Sequence, residues 1–286
     1  MLRRSWILRL AFITVVLATA IVLGACTGDD GTQGATGAPG PQGPEGPAPS
    51  ADDIKAAVQE FLAPGATAES IAAGGRLYDK WWAEDAGATE PTADFALWEL
   101  QTNNTRNGST SWRCKECHGW DYKGKGGAYS SGSHYTGFVG PYQAGATMTN
   151  DDLVAVLQGA TDYRHDFSSE LSEQSLDNLA DFLKYGLIND TMYIDYATKT
   201  PLNVDATNGQ ARYEQTCSAC HGADGRLILF GGEDGVGNVA NDNPWEFAHK
   251  VRAGQPGTAM PSAIVSGWSI EDVMDVLGYS QSLPTE

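Results

Sequence analysis

Two short stretches of the sequence, "CKECH" and "CSACH", carry the same arrangement of two thiols and one imidazole. The residues are Cys114, Cys117 and His118 in the first stretch, and Cys217, Cys220 and His221 in the second. Thiols three positions apart lie about one turn apart on a helix, so both can bond to one small molecule while the neighbouring imidazole binds a metal. A zinc site built from the four thiols would leave both histidines unused. A redox-active dithiol pair would not need a histidine at the same position twice.

The Cys-x-x-Cys-His pattern is the attachment frame of c-type haem. Each thiol bonds one vinyl group of a single porphyrin, and the histidine is the proximal ligand of the iron. The chain has five cysteines, and Cys26 is the one that lies outside the two frames. The sequence therefore predicts two covalently attached haem c groups, one at each frame.

Both halves of the chain, built on these frames, resemble class I cytochrome c domains over residues 67–186 and 203–286. The resemblance implies an all-α fold in which an N-terminal helix crosses a C-terminal helix around one haem. We therefore expect two tandem cytochrome c domains, at 51–200 and 201–286, with the first enlarged by insertions. The long insertion runs up to Arg113 and separates the N-terminal helix of the first domain from its haem frame.

The two halves align on their N-terminal helices, "GGRLYDKWW" and "NGQARYEQT". Gly74 precedes Tyr78 by four residues, and Gly209 precedes Tyr213 by the same distance. Later helix starts carry capping signals, which are Thr149 with Asp152, Asn243 with Pro244, and Ser269 with Asp272. Apolar residues at helical spacing predict the C-terminal helix of the first half, and these are Leu176, Leu179, Ala180 and Leu183.

The sixth ligands are predicted from the loop that follows a glycine-terminated helix in each half. In the second half Gly254 ends the helix and Met260 follows six residues later, in a segment, "QPGTAMPSA", that resembles the distal-ligand loop of the family. In the first half Gly159 ends the helix, and His165 stands six residues later. We therefore expect Met260 to be the sixth ligand of the second haem and His165 that of the first.

Other ligands for the first haem stay open at this point. Met148 precedes the cap of the preceding helix, and His134 lies in a polar loop 16 residues after His118. His249 is expected to be a core or helix-surface histidine rather than a ligand. Gly140-Pro141 resembles a Gly-Pro pair whose carbonyl accepts the ring N–H of the proximal histidine in this family, which implies that it orients His118.

The N-terminal segment carries export and attachment signals. Residues 1–25 combine a basic start with a 14-residue apolar run, which is typical of a signal peptide and short for a membrane span. Leu23–Cys26 resembles a lipoprotein cleavage box, so Cys26 is expected to carry the lipid. Residues 26–50 are predicted to be a linker, in which glycine recurs at every third position over 31–49 as in collagen. An extended spacer is favoured there, and weak trimerisation is the other interpretation.

The charge balance favours a protein that works outside the cytoplasm and does not bind nucleic acid. The chain has 18 Lys and Arg against 36 Asp and Glu. Some of the basic residues lie in the predicted signal peptide, so the exported part is more acidic still. So acidic an exported part argues against nucleic acid and anionic membrane surfaces as partners. We expect a protein of the bacterial cell envelope, periplasmic or on the outer surface, that is attached to a membrane by its lipid. Residues 52–63 are predicted to form an amphipathic helix on the first domain.

Two haems with both axial positions filled leave no open site on the iron, which favours electron transfer between redox-partner proteins over substrate chemistry. Axial methionine raises the potential of a haem. The bis-histidine haem is therefore expected to have the lower potential, and electrons to run from the first domain to the second. The alternative is a dihaem enzyme similar to thiosulfate dehydrogenases or peroxidases, with catalysis at the first haem. The thiosulfate-type enzymes use an axial cysteine, and every cysteine here is already assigned, so an electron carrier is favoured over an enzyme.

Overall fold

Helices dominate the computed structural model of the protein, which describes residues 65–285. The α-helices of the first half are α1 (Ala68–Glu84), α2 (Cys114–His118), α3 (Tyr142–Thr147), α4 (Asn150–Leu157) and α5 (Glu173–Asp181). Those of the second half are α6 (Ala206–Arg212), α7 (Ser218–His221), α8 (Val236–Asp242), α9 (Pro244–Ala253) and α10 (Ile270–Ser280). Shorter turns are 3-10 helical at Ala96–Leu100, Gly108–Trp112 and Asp190–Met192, and π-helical at Phe182–Gly186 and Tyr213–Cys217.

The predicted helix starts are confirmed. Capping boxes begin α4, at Thr149 and Asp152, and α10, at Ser269 and Asp272. The side chain of Asn243 accepts a hydrogen bond from the backbone of Glu246, and Pro244 is the first residue of α9. These side chains satisfy backbone N–H groups that have no partner within their own helix.

In each half the N-terminal helix crosses the C-terminal helix at a glycine. A Cβ atom on Gly74 of α1 would lie 1.9 Å from the carbonyl oxygen of Asn178 in α5, and one on Gly209 of α6 would lie 2.1 Å from that of Asp275 in α10. No side chain fits at either contact, so the close crossing depends on glycine at both positions. The sequence alignment of the two N-terminal helices therefore corresponds to the same packing in both halves.

A short hairpin connects the halves. Strand β1 (Ile194–Asp195) pairs antiparallel with β2 (Thr200–Pro201), and the carboxylate of Asp195 accepts hydrogen bonds from the backbone of Ala197 and Thr198 inside the turn. The helix-rich fold is consistent with a cytochrome c fold, but this hairpin departs from the expectation of an all-α chain. The predicted domain boundary, between residues 200 and 201, falls within β2.

The apolar core of the described residues forms two clusters that do not follow the two halves strictly. The first cluster joins α1, α4 and α5 and includes Trp81 and Trp82. The second joins α9 and α10 of the second half, and it also contains Trp120 and Tyr129 of the first half. The loop after the first haem frame is therefore part of the core of the other half.

Helix α9 is buried on most of its circumference because it packs against both halves. Arg252 Nη2 donates to the carbonyl oxygen of Gly186 at 2.6 Å. Lys250 and Arg113 both pair with the buried carboxylate of Asp79 on α1. Burial alone would raise the pKa of Asp79, but the charges of Lys250 and Arg113 outweigh burial and lower it to about 2. A buried ion-pair network thus crosses the boundary between the halves.

Several predictions fall outside the part of the chain that the structure describes. These are the signal peptide at 1–25, the lipidation of Cys26, the linker at 26–50 and the helix at 52–63. Within residues 65–285, no helix has the length and apolar character needed to cross a membrane.

Candidate haem sites

The backbone leaves both haem frames along the same path. Tyr78 donates its hydroxyl to the carbonyl oxygen of Gly119 at 2.7 Å, and Tyr213 donates to that of Gly222 at 2.9 Å. Each of these glycines directly follows the histidine of its frame, and their φ angles are +77° and +82°. Left-handed backbone of this kind favours glycine. The spacing from tyrosine to frame differs greatly between the halves, so the shared contact comes from the fold rather than from local sequence.

The turn after each frame is also the same. The carbonyl oxygen of His118 accepts from the backbone N–H of Gly124 at 2.8 Å, and that of His221 accepts from Leu227 at 2.9 Å, six residues on in both cases. Inside the turn, Asp121 and its counterpart Asp224 each accept a hydrogen bond from the backbone two residues later. The two frames are structural repeats beyond the Cys-x-x-Cys-His residues themselves.

The first frame borders an apolar cavity that its predicted sixth ligand also lines. Cys114, Cys117, His118 and His165 all line this cavity. Its aromatic walls are Phe95, Trp112, Phe138 and Phe167. Both thiols are free. The structure therefore brings the predicted residues of the first site together around one largely apolar cavity.

The two histidines of this cavity have a separation that suits one shared metal. The ring centres of His118 and His165 are 6.3 Å apart. A metal–imidazole bond is about 2 Å long, so two imidazoles on opposite sides of one metal have ring centres about 6 Å apart. Residues present at the first site thus fit a haem with two axial imidazoles.

Hydrogen bonds fix the tautomer of both histidines. Nδ1 of His118 lies 2.6 Å from the carbonyl oxygen of Val139, and Nδ1 of His165 lies 3.3 Å from that of Val156. Because a carbonyl can only accept, Nδ1–H donates in both rings, and the lone pair of Nε2 stays available for a metal. Burial lowers the pKa of His118 to about 4 and also lowers the pKa of His165, so both rings are neutral, as metal ligands must be.

The carbonyl that orients His118 is not the one expected from the Gly140-Pro141 pair. Val139 supplies it, one residue before that pair. Gly140 has a different role: a Cβ atom there would lie 2.0 Å from the carbonyl oxygen of Tyr122, so the glycine lets the loop pass close to the turn after the frame. The pair therefore positions the acceptor without providing it.

The ligand loops of the two halves also correspond. Backbone hydrogen bonds close the first loop from Leu157 to Phe167 and the second from Arg252 to Ile264. Gly159 and Gly254 stand at the same place in each loop, with φ angles of +82° and +90°. Between these closing contacts the second loop is two residues longer than the first. The two extra residues come after Met260 in the chain. His165 and Met260 thus occupy equivalent positions relative to the preceding helix.

At the second frame, Cys217 and Met260 are partly buried and pack against the second core cluster. His221 is half-buried, and its Nδ1 atom has no hydrogen-bond partner among the described residues. Cys220 is exposed. The ring of Phe230 lies 5.9 Å from that of His221, at the end of an exposed apolar run over 227–230. The structure thus places Cys217 and Met260 against the same core cluster and leaves His221 and Cys220 in a more open setting than the first site.

The other ligand candidates of the first haem lie elsewhere. Met148 packs against the first core cluster, and its carbonyl accepts from Lys184, but its side chain does not line the cavity. His134 stacks on Tyr129, and both of its ring nitrogens are engaged, at 3.0 Å by Glu116 and at 2.8 Å by Arg106. Neither side chain is placed to bind the same metal as His118.

His249 is a core histidine, as expected. Its exposed fraction is 1%, and it bridges the halves through the carbonyl of Gly75 and the hydroxyl of Tyr122, each at 2.9 Å. The Gly75 carbonyl requires Nε2–H, so Nδ1 accepts from Tyr122. Burial lowers the pKa of His249 to about 3, which keeps the ring neutral. Both nitrogens are used, and none is left for a metal.

A comparison with protein families bears on the second half. The family model described as cytochrome c oxidase, cbb3-type, subunit III matches residues 204–279, which include the second haem frame and Met260. The match supports a c-type cytochrome, and a domain of this kind implies covalently bound haem c and haem-based electron transfer. Searches of curated proteins and of solved structures found no significant match.

Sequence reasoning missed most of the walls of the first cavity. Phe95 belongs to the insertion, where no helical periodicity marks a buried residue, and Phe138 lies in a glycine-rich loop. Phe167 carried a signal in the sequence, because it stands two residues after the predicted ligand His165. Trp112 also lines the cavity, and its place two residues before the first thiol of the frame is a signal that the sequence does carry.

Proposed function

We propose that this protein is an exported dihaem c-type cytochrome that transfers electrons between redox-partner proteins. The first haem would be held by Cys114, Cys117 and His118, with His165 as its second axial ligand. The second would be held by Cys217, Cys220 and His221, with Met260 opposite. Iron bound in this way supplies a one-electron redox couple.

The observation that carries the proposal is the cavity of the first frame. It joins two thiols and two neutral imidazoles whose ring centres are 6.3 Å apart, with aromatic side chains around them. The second frame repeats the same backbone path, and its segment matches a cytochrome family model. One haem at each frame accounts for both features at once.

The ligands of the two sites support an order of potentials. Methionine as an axial ligand raises the potential of a haem, and a histidine that donates a strong Nδ1–H bond is a more basic ligand. His118 makes such a bond at 2.6 Å, whereas Nδ1 of His221 has no partner among the described residues. We therefore assign the lower potential to the first haem and the higher to the second, with electrons passing from the first to the second.

The setting of the protein is also part of the proposal. The signal-like segment at 1–25 and Cys26 favour export and lipid attachment to a membrane of the bacterial cell envelope. Residues 31–49 would act as a spacer between the lipid and the folded part, at about 3 Å per residue if extended. The excess of acidic residues favours partners with a basic or neutral docking surface.

Catalysis at the first haem, as in enzymes similar to thiosulfate dehydrogenases, remains the alternative to an electron carrier. Among the described residues every cysteine belongs to a haem frame, and the imidazole that lines the cavity together with His118 is His165. Two imidazoles on the iron would leave no position for a substrate. Turnover assays with thiosulfate and with peroxide test this alternative directly, and an electron carrier is expected to give no turnover with either.

The test of the proposed function is ligand spectroscopy on the full-length protein from a host that matures c-type cytochromes. Haem content should be two per chain. Low-temperature electron paramagnetic resonance and near-infrared magnetic circular dichroism should give one bis-histidine and one histidine–methionine signature. His165→Met should convert the first signature into the second and raise the potential of that haem by on the order of 100 mV.

Met148→Leu is the matched control, because it removes the competing methionine and should leave both signatures unchanged. Loss of the bis-histidine signature in Met148→Leu, with no change in His165→Met, would reject His165 as the ligand. A haem content of one per chain would reject the dihaem assignment.

A further inference from the structure

A cluster of buried polar side chains lies on the proximal side of the first haem frame, where the two halves meet. It is centred on Asp190, in the 3-10 turn after α5, and on Arg252 of α9. Asp121, three residues after His118, belongs to the same cluster and is fully buried. The electron-transfer function uses none of these side chains, so their burial needs another explanation.

Asp190 stands out within the cluster because it is buried without sufficient partners. Its exposed fraction is 2%, and its Oδ2 atom has no hydrogen-bond partner among the described residues. Nη1 of Arg252 is also buried and unpartnered, while Nη2 is committed to the carbonyl of Gly186. A buried carboxylate that lacks hydrogen bonds is costly, and a protonated carboxyl is the cheaper form.

The charged and titratable groups that face Asp190 come from every element around it. They are Asp121 and Tyr122 from the turn after the frame, Lys123 beside them, Arg252 from α9, and Tyr196 from the hairpin. Asp121 is held as a hydrogen-bond acceptor by Tyr196 at 2.9 Å and by the backbone of Ala128 at 2.6 Å. Lys123 donates to the side chain of Asn189 at 2.9 Å. Only Asp190 keeps a free oxygen within this set.

The balance of these groups keeps a proton on Asp190 near neutral pH. Burial, and then the negative charge of Asp121, raise the pKa of Asp190 to about 8, and the positive charges of Arg252 and Lys123 oppose them only in part. Burial raises the pKa of Tyr122 and of Tyr196 well above the usual range, so neither tyrosine titrates in the same region. Met192 in the same 3-10 turn is exposed, so the turn that carries Asp190 reaches the protein surface.

We propose that Asp190 is a redox-linked proton site in alkaline solution, where the oxidised protein carries it as a carboxylate: it binds one proton from solvent when one electron enters the first haem site and releases it when that electron leaves. This inference rests on the proposed function. The electron comes from the reduced redox partner, and the proton comes from water. Added negative charge at the iron disfavours the carboxylate in a low-dielectric interior, which couples the two events.

The sign of the effect follows from this coupling. Below the pKa of about 8, Asp190 is protonated in both redox states, and the potential of the first haem should not depend on pH. Above it, the oxidised protein loses the proton and reduction takes it back, so the potential falls as pH rises. The slope is limited to about 59 mV for each tenfold fall in proton concentration, the value for one proton per electron.

The experiment is a spectroelectrochemical titration of the full-length dihaem protein from about pH 6 to about pH 10, a range that brackets the raised carboxyl pKa. We expect the potential of the first haem to be level at low pH and to fall above about pH 8, as the pKa of Asp190 requires. Asp190→Asn carries a neutral group of the same shape and should keep the low-pH potential over the whole range. Asp177→Asn, on the exposed face of α5, is the matched control and should behave as wild type.

Two results would overturn the proposal: a first-haem potential that does not change with pH in the wild type, or a slope that persists in Asp190→Asn. Both leave the proposed function intact, since the haem count and the ligand signatures are measured on the same samples. A sample with fewer than two haems would instead count against the proposed function.

Discussion

At the first haem frame, Nδ1 of His118 donates to the carbonyl of Val139, whereas Nδ1 of His221 at the second frame has no partner among the described residues. The first site is a cavity with aromatic walls and two imidazoles. The second is flanked by an exposed apolar run at 227–230 and has a methionine on its ligand loop. The attachment residues are the same, so the difference between the sites lies in the ligand and in the surroundings of the proximal histidine.

If each frame binds a haem as proposed, that difference would make the two redox centres of one repeated fold unequal. The turn after each frame and the tyrosine contact behind it are shared. What varies is placed on loops: the insertion that supplies Phe95, the ligand loop, and the loop that carries Val139. Loops tolerate change better than the helices that hold them, so they are where two copies can diverge in function.

The largest expected effect comes from removing one attachment frame. Replacing both thiols of the first frame, in Cys114→Ser/Cys117→Ser, should leave one haem per chain, because each frame binds its own porphyrin through its own two thiols. The remaining haem should show the histidine–methionine signature. Haem content and intact mass of the purified protein measure the result.

The mirror variant, Cys217→Ser/Cys220→Ser, is the control and should retain the bis-histidine haem instead. The comparison between the sites would be wrong if both variants kept the same spectroscopic signature.

A smaller effect tests whether the helix crossings of the two halves are equivalent. Gly74→Ala and Gly209→Ala each place a methyl group about 2 Å from a carbonyl oxygen of the partner helix, an overlap that forces the helices apart. Each should lower the free energy of unfolding by about 3 kcal/mol. Urea denaturation of the haem-loaded protein, followed by far-ultraviolet circular dichroism, measures the change.

Gly126→Ala is the control for this pair. Its added Cβ atom would meet the nearest atom, the carbonyl oxygen of Lys123, at 3.4 Å, an ordinary contact. It should therefore leave stability nearly unchanged. A strong loss for one crossing and none for the other would mean that the halves do not share the same packing.

Much of this architecture could be predicted from the sequence, because it depends on local rules. The caps at Thr149, Asn243 and Ser269 follow from side chains that satisfy neighbouring backbone groups. The internal repeat related His165 to Met260 by counting from the preceding glycine, and both lie on equivalent loops of the structure. Spacing within a repeat carries this information because equivalent loops start from equivalent helices.

Other features could not be predicted, because they depend on contacts between distant residues. Nothing beside Trp120 in the sequence indicates that it packs in the core of the other half. The acceptor for His118 was expected at Gly140-Pro141 and is Val139, because the path of a long loop decides which carbonyl reaches the ring. Asp190 is one acidic residue among 36, and only the packing of the two halves buries it.

The central claim, that the two haems differ in potential because of their ligands, is tested most directly by a redox titration of the wild-type protein with the signals assigned by ligand spectroscopy. We predict two one-electron transitions, the lower belonging to the site of His118 and His165 and the higher to the site of His221 and Met260. A single transition shared by both haems, or the reverse order after assignment, would contradict the claim.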